Sequence, residues 1–507
     1  MRKWISIIIG LGLLGMLRAQ STAIDSKALD DYFEHSRQQW NIPGMAVAVI
    51  KDHQVLLAKG YGERRLGSGE MVDDQTIFNI GSTSKAFTAM AMAILVDEGK
   101  VNWDDRVVDH MPQFQLSDPF VTQQMRVRDL FTHNLGVPNT DYLWAGLTLS
   151  PDEILYRMRY IPMAYPLRGG YTYQNIMYLA AGKLIELLSG MSWADFIQTR
   201  IFVPLHMNNS YPTKARSQVQ SNRSIPHHYA YGTGPIVPIP DANADSIAPA
   251  GAIWSCIADM SKWVVSILDS SKYDGGRLVK PATWMELFLP GAIVPANDFY
   301  PTAKLTGPKW ITYAKGWFQE DYHGMGVDFH TGSLGGTIAQ IGLVQQDGIG
   351  YYFLGNLDHA EVRHALMYRT FDVLSQSPEP LRDWSSEFLK LYGSAPAQMQ
   401  KALDKMNAER LTDTKPRLAP AGYAGTFHHM AWGDLQLAVV DGQLTVTSPE
   451  SLAGPLEHWH LDTFHFIGGE NPSDVRYWMQ SITFHFNSQG KVNALTLGSL
   501  GVFNKIN

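Results

Sequence analysis

The chain has 507 residues, a formal net charge of −7, 45% hydrophobic and 18% charged residues, and a single cysteine. That is the composition of a soluble globular protein, long enough that two domains rather than one core are the default. An acidic balance without basic runs excludes nucleic acid and anionic membrane surfaces as the main partners.

The first segment reads as a secretory signal, with Arg2 and Lys3 supplying charge, Trp4 to Leu17 an apolar core, and Leu17-Arg18-Ala19 a small-residue cleavage site. The apolar run is shorter than the roughly 20 residues that span a bilayer. A cleaved signal at residues 1–19, a periplasmic or secreted product and no stable membrane anchor are therefore expected. A helix is predicted over Ser26–Trp40, then strands at Met45–Lys51 and Gln54–Tyr61. Strand-like Thr76–Ile80 and Gly81 lead into Ser82-Thr83-Ser84-Lys85 and an apolar helix ending near Glu98. Residues three apart at a helix start share a face, so the Lys85 amine can reach the Ser82 hydroxyl. Serine is a poor nucleophile until a base takes its proton, and a lysine desolvated by apolar neighbours is such a base. Ser488-Gln489-Gly490-Lys491 has the same spacing but sits at a Gly-containing turn between alternating strands, where the side chains do not share a helical face.

Farther along, Tyr171-Thr172-Tyr173-Gln174-Asn175 opens a helix running to Leu188. Cys256 lies in apolar Ile253–Ile257, which predicts a buried, inert thiol and leaves no intrachain disulfide. His330-Thr331-Gly332-Ser333-Leu334-Gly335-Gly336 is placed just before a strand at Ile338–Val344, followed by Gly350–Leu354 and a helix at Ala360–Leu374. Strands at both ends with helices between them predict an α+β fold, one sheet built from both chain ends around an inserted helical subdomain. A helical stretch from Trp384 to about Arg410 leads to a boundary at Lys415–Gly422, marked by two prolines and a glycine. Beyond it, alternation at Leu435, Leu437 and Val439, an Asp441-Gly442 turn, and Ile482, Phe484 and Phe486 predict about 85 residues of small antiparallel barrel or sandwich. The expected division is residues 24–375, a helical linker at 376–422 and a β-domain at 423–507. His359 and His364 are five apart and do not share a helical face, and the adjacent pairs His227-His228 and His428-His429 diverge, so no metal site is expected. A Gly-x-Ser-x-Gly elbow is missing, which removes an α/β-hydrolase reading.

Ser82-x-x-Lys85, Tyr173-x-Asn175 and His330-Thr331-Gly332 occur in the order found in the β-lactamase-related serine hydrolases of the penicillin-recognising superfamily, and the chain resembles that family. Leu130–Pro138 and Ile201–Met207 are similar to family wording as well, and the C-terminal region resembles a lipocalin-like appendage. The resemblance implies a β-lactamase/transpeptidase-like antiparallel sheet flanked by helices, and an acyl-enzyme on Ser82 formed with Lys85 and Tyr173. It implies that Asn175 holds Lys85 and the substrate amide, and that the amides of Ser82 and Ser333 stabilise the oxyanion. His330, Thr331 and Gly332 would face the far side of the substrate, and no cofactor is needed. The implied substrates are D-amino-acid peptides such as peptidoglycan stems, β-lactams or small esters, with oligomerisation left open. His330 in place of the common lysine favours the peptidase and esterase branches. It also predicts a preference for carboxylate-bearing substrates that falls as the imidazole loses its proton. The rival expectation is a penicillin-binding sensor that is acylated without turnover.

Overall fold

In the computed structural model, which describes residues 26–229, 234–375, 380–467 and 481–506, strands from both ends of the first region meet in one antiparallel sheet. The expected signal segment at 1–19 lies outside the described residues. β1 (Gly44–Lys51) and β2 (Gln54–Gly62) precede the helical insertion. β3 (Ala292–Ile293), β4 (Ile311–Tyr313), β5 (Phe318–Tyr322), β6 (Met325–Leu334), β7 (Thr337–Val344) and β8 (Ile349–Gly355) follow it. Their order is β2-β1-β8-β7-β6-β5-β4-β3. β1 and β8 join the two chain ends, from Met45 opposite Gly355 to Lys51 opposite Ile349.

Helices cover both faces of this sheet, and the period-2 alternation of β1 sorts its side chains between two apolar layers. Val47 and Val49 face a layer with α1 (Ser26–Gln39) and α5 (Val362–Leu374). Ala46, Ala48 and Ile50 face α2 (Ser84–Asp97), α3 (Ile176–Ser189) and α4 (Ile257–Leu268). Because both faces are covered, β7 and β8 are buried throughout and read as apolar runs rather than alternating strands. The same burial hid β6 from the sequence pattern. The His330–Ser333 motif lies inside that strand, and the turn after it is made by Gly335 and Gly336, both at positive φ. α2 is buried from Ser84 to Leu95, consistent with its nearly all-round apolar sequence.

The stretch expected as one helix after Trp384 is two, α6 (Trp384–Tyr392) and α7 (Ala395–Ala408), with Gly393 and Ser394 at the break. α6 docks on the first region: Trp384 is buried and its indole donates to Asp372 Oδ2 at 2.7 Å. Eight further strands, β9 (Gly425–His429) to β16 (Gly501–Lys505), close into an antiparallel barrel. Its interior is filled by side chains such as Phe427, Leu435, Val446, Phe484 and Phe503. The barrel meets the first region at a short helix, Tyr142–Ala145, where Tyr142 and Trp432 pair edge to face at 5.9 Å. Ser451 Oγ donates to the Gly146 carbonyl, and Arg157 to that of Ala431. Among the described residues, no helix is long and apolar enough to cross a membrane.

Candidate active site

The nucleophile sits where a tight turn runs into α2. The Gly81 amide donates to Asn79 Oδ1 at 2.8 Å, and Gly81 takes φ +52, a left-handed conformation that glycine adopts without Cβ strain. A Cβ on Gly81 would stand 2.5 Å from the Ser333 nitrogen, and one on Gly332 would stand 2.0 Å from the Ile80 oxygen and 3.1 Å from the Ser82 nitrogen. Two bare backbones therefore press β6 against the nucleophile turn, which brings the backbone nitrogens of Ser82 and Ser333 close together. Ser82 stays partly exposed while its neighbours Gly81, Thr83, Ser84 and Lys85 are buried.

Lys85 is fully buried, and its Nζ lies 3.0 Å from Ser82 Oγ, 2.7 Å from Asn175 Oδ1 and 2.9 Å from the Ala250 carbonyl. Burial pulls its pKa down to about 7, against the opposing charge of Asp141. The amine is thus poised to exist in both forms near neutral pH. When neutral it has two N–H bonds and one lone pair. Asn175 and Ala250 offer acceptors to the two N–H groups, and the lone pair is left for the Ser82 hydroxyl.

Tyr173 lies beside Ser82, and its ring centre is 4.8 Å from Lys85 Nζ. Burial raises its pKa well above 10, and the Ser82 hydroxyl opposes this only in part. Tyr173 is a neutral phenol, able to donate. Asn175 caps the start of α3 and holds Lys85; its Nδ2 donates to both oxygens of Asp141, at 3.0 and 3.1 Å.

The far side of the site differs from the sequence expectation. His330 is 1% exposed and does not line the cleft. Its Nε2 meets the Tyr313 hydroxyl at 2.8 Å, its Nδ1 the Thr331 carbonyl at 2.6 Å, and burial depresses its pKa to about 3. It is a neutral, enclosed ring rather than a substrate contact. Side chains alternate along β6, so Thr331 and Ser333 face the cleft while His330 turns into the aromatic layer behind. The Thr331 hydroxyl is engaged by Tyr300. Ser333 Oγ accepts from Arg363 at 3.0 Å, and the same guanidinium donates to the Gly332 carbonyl at 2.7 Å and pairs with Glu361 at 2.9 and 3.0 Å.

Several residues of the site were not singled out by sequence reasoning. Asp141 and Trp144 line the cleft beside Ser82, and Asn297 to Pro301 close it from a distant loop. Asp141 is 34 positions from Asn175, and no spacing rule links them. The turn signal of Pro138 followed by Asn139-Thr140-Asp141 was the one available clue. His133 packs at 4.4 Å from both Tyr173 and Tyr313 and accepts the Gln174 amide at 2.9 Å, which fixes the segment carrying Tyr173. Cys256 is buried and its thiol is pushed up to about 12. Among the described residues, no cluster of three or more His, Cys, Asp or Glu side chains could hold a metal ion.

Comparison with known proteins gives matches over both regions of the chain. The family model described as Beta-lactamase matches residues 29–374, and one described as a domain of unknown function, DUF3471, matches residues 409–503. An unguisins hydrolase of Aspergillus campestris is 28% identical over 79% of this chain and 75% of its own length. Protein flp of Staphylococcus aureus is 24% identical over 65% of this chain and 63% of its own length. In fold, the chain is similar to an octameric penicillin-binding protein homologue from Pyrococcus abyssi. That likeness has a TM-score of 0.63 and 21% identity, and spans 95% of this chain and 100% of the other.

Proposed function

The chain belongs to the beta-lactamase family, and from that premise we propose that it is an exported serine hydrolase that cleaves amide or ester bonds through an acyl-enzyme on Ser82. The observation that carries this reading is the Lys85 contact set: Nζ lies 3.0 Å from Ser82 Oγ, and two further fixed acceptors, Asn175 Oδ1 and the Ala250 carbonyl, take up the two N–H groups of the neutral amine, so that its lone pair is free for the Ser82 hydroxyl. Neutral Lys85 takes the Ser82 proton as Oγ bonds to the substrate carbonyl carbon. The Ser82 and Ser333 amides receive the developing oxyanion, a contribution of about 3 kcal/mol per donor in comparable sites. Tyr173 gives its proton to the departing amine or alcohol, and the protonated Lys85 restores it. In deacylation, water attacks the ester carbonyl while neutral Lys85 takes its proton through the Tyr173 hydroxyl, and the resulting ammonium returns a proton to Ser82 Oγ as the acyl C–O bond breaks.

D-amino-acid peptides, β-lactams and small esters are the substrate classes this chemistry serves, and the name of the Aspergillus relative adds support for hydrolysis. Export rests on the Arg2-Lys3 and Trp4–Leu17 pattern; a mature secreted protein beginning at Gln20 is its test. For the chemistry, intact-mass measurement on mixing with β-lactams, D-alanyl peptides and p-nitrophenyl esters should show a transient acyl adduct that Ser82→Ala abolishes. An adduct that never turns over with any of them would instead identify an acylated sensor.

A further inference from the structure

The cleft at Ser82 encloses about 510 Å³, and its lining combines one sign of charge with many aromatic rings. Its charged side chains are Asp141 and Asp298, and no lysine, arginine or histidine is among the described residues that line it. The cations nearby are committed elsewhere. Lys85 is fully buried with its three contacts made, and Arg363, 3% exposed, is matched by the Glu361 carboxylate. His330 is closed in between Tyr313 and the Thr331 carbonyl. Opposite them, Trp144, Tyr171, Phe299, Tyr300 and Phe318 form the walls. Asp141 is held in place by Asn175 and by the Trp144 indole at 2.8 Å, whereas Asp298 is exposed at the rim.

One polar atom in these walls has no partner. The Tyr171 hydroxyl is buried and unbonded, although its ring lines the cleft, and the charge of Asp298 is felt there. A buried hydroxyl without a partner is costly and is satisfied when a ligand supplies a hydrogen-bonding group.

Resting on the serine-hydrolase reading above, we infer that this cleft selects acyl donors with an aromatic or apolar body and a neutral or cationic group, and turns away donors that carry a carboxylate, with Asp141 and Asp298 setting the choice. Aromatic walls supply contact area and attract a cation through their ring faces. Two carboxylates, of which only Asp141 has a cation near it, in the buried Lys85, repel an anionic donor, so selectivity arises as much from repulsion as from attraction. At the separations inside such a cleft, a like charge costs enough for a discrimination of about tenfold or more. This inverts the sequence expectation of a carboxylate held by His330.

The test uses the full chain and three p-nitrophenyl phenylacetates that differ only in the para substituent: carboxylate, methyl or trimethylammonium. At pH 7.5 and low salt, kcat/KM for the carboxylate ester should be about tenfold or more below that of the methyl ester, with the trimethylammonium ester at or above it. Added salt should narrow the gap, because rim charges are screened. Asp298→Asn should raise the carboxylate-to-methyl ratio, and Asp298→Lys should raise it further. Equal or higher kcat/KM for the carboxylate ester in the native chain would overturn the inference, and so would a ratio that ignores both Asp298 variants. Intact-mass analysis separates the two failures. Acylation of Ser82 without charge preference sinks this inference alone, and no Ser82 adduct with any of the three sinks the hydrolase reading and this one with it.

Discussion

The cleft and the C-terminal barrel are both built from aromatic and aliphatic side chains, yet they treat polar atoms in opposite ways. Among the described residues, every buried side-chain N or O atom without a hydrogen-bond partner lies at or before Tyr392, and His133 and Tyr171 beside the cleft are two of them. Among its described residues the barrel has none, and its interior is filled by packed side chains. Behind the cleft lies a fully buried lysine, whose pKa burial pulls down to about 7. A region built for stability satisfies its polar groups, whereas one built for chemistry keeps some unsatisfied for the substrate. The contrast supports placing the proposed chemistry in the first region.

The largest effect expected concerns the relay. Lys85→Ala and Tyr173→Phe should each lower kcat/KM by about a thousandfold or more, and the double variant little further, because a relay lacking one member gains little from the other. Fully additive losses would show that the two act independently.

The comparison itself is sharpened by a stability pair. Phe484→Ala empties a buried position in the barrel and should destabilise it by about 3–5 kcal/mol, without loss of Ser82 acylation below the melting temperature. Lys85→Met removes a cation from an apolar site and should raise Tm near neutral pH while abolishing activity. A Lys85→Met protein that melts lower than the native chain would mean that the buried amine stabilises the fold.

A smaller effect is expected in the pH profile. kcat/KM should rise as pH increases to about 7 and then level, because only neutral Lys85 accepts the Ser82 proton. Asp141→Asn removes the carboxylate that favours the ammonium form, so this rise should shift to lower pH. The linkage runs the same way: with its folded pKa depressed below the unfolded 10.5, Lys85 makes the fold gain stability as pH rises from 7 toward 10.5. His330, depressed to about 3, should leave no mark on substrate preference between pH 5.5 and 8.5. A profile that is flat through pH 7, or an Asp141→Asn profile displaced upward, would contradict this assignment.

The smallest effect is reserved for deletion of the barrel. A chain ending near Thr414 should fold and label at Ser82, with KM altered more than kcat, because the Tyr142–Trp432 contact steadies the short helix after Asp141. Unlabelled or insoluble protein would show that the barrel completes the hydrolase core.

Much of the fold was legible because local rules governed it. The three-residue spacing of Ser82 and Lys85, the helix opened by Asn175, and the alternating strands of the barrel follow from periodicities of 3.6 and 2. β6 was not legible, since burial on both faces erased its alternation. Its motif does lie just before the strand at Thr337–Val344, as expected, but the strand that carries it was not foreseen, and the His330 side chain was assigned to the substrate. Asp141 and Asp298 escaped notice because the sheet and the inserted helices bring them to Ser82 from distant chain positions. The break at Gly393 was passed over because helical patterning continues on both sides of it.

The most direct test of the central claim is a rapid-quench experiment with p-nitrophenyl phenylacetate, followed by peptide mapping of the trapped protein. The expected result is a burst approaching one p-nitrophenol per chain, with a phenylacetyl group on Ser82 and none on Ser488, and loss of both burst and adduct in Ser82→Ala. An adduct on any other residue, or undiminished turnover by Ser82→Ala, would contradict it.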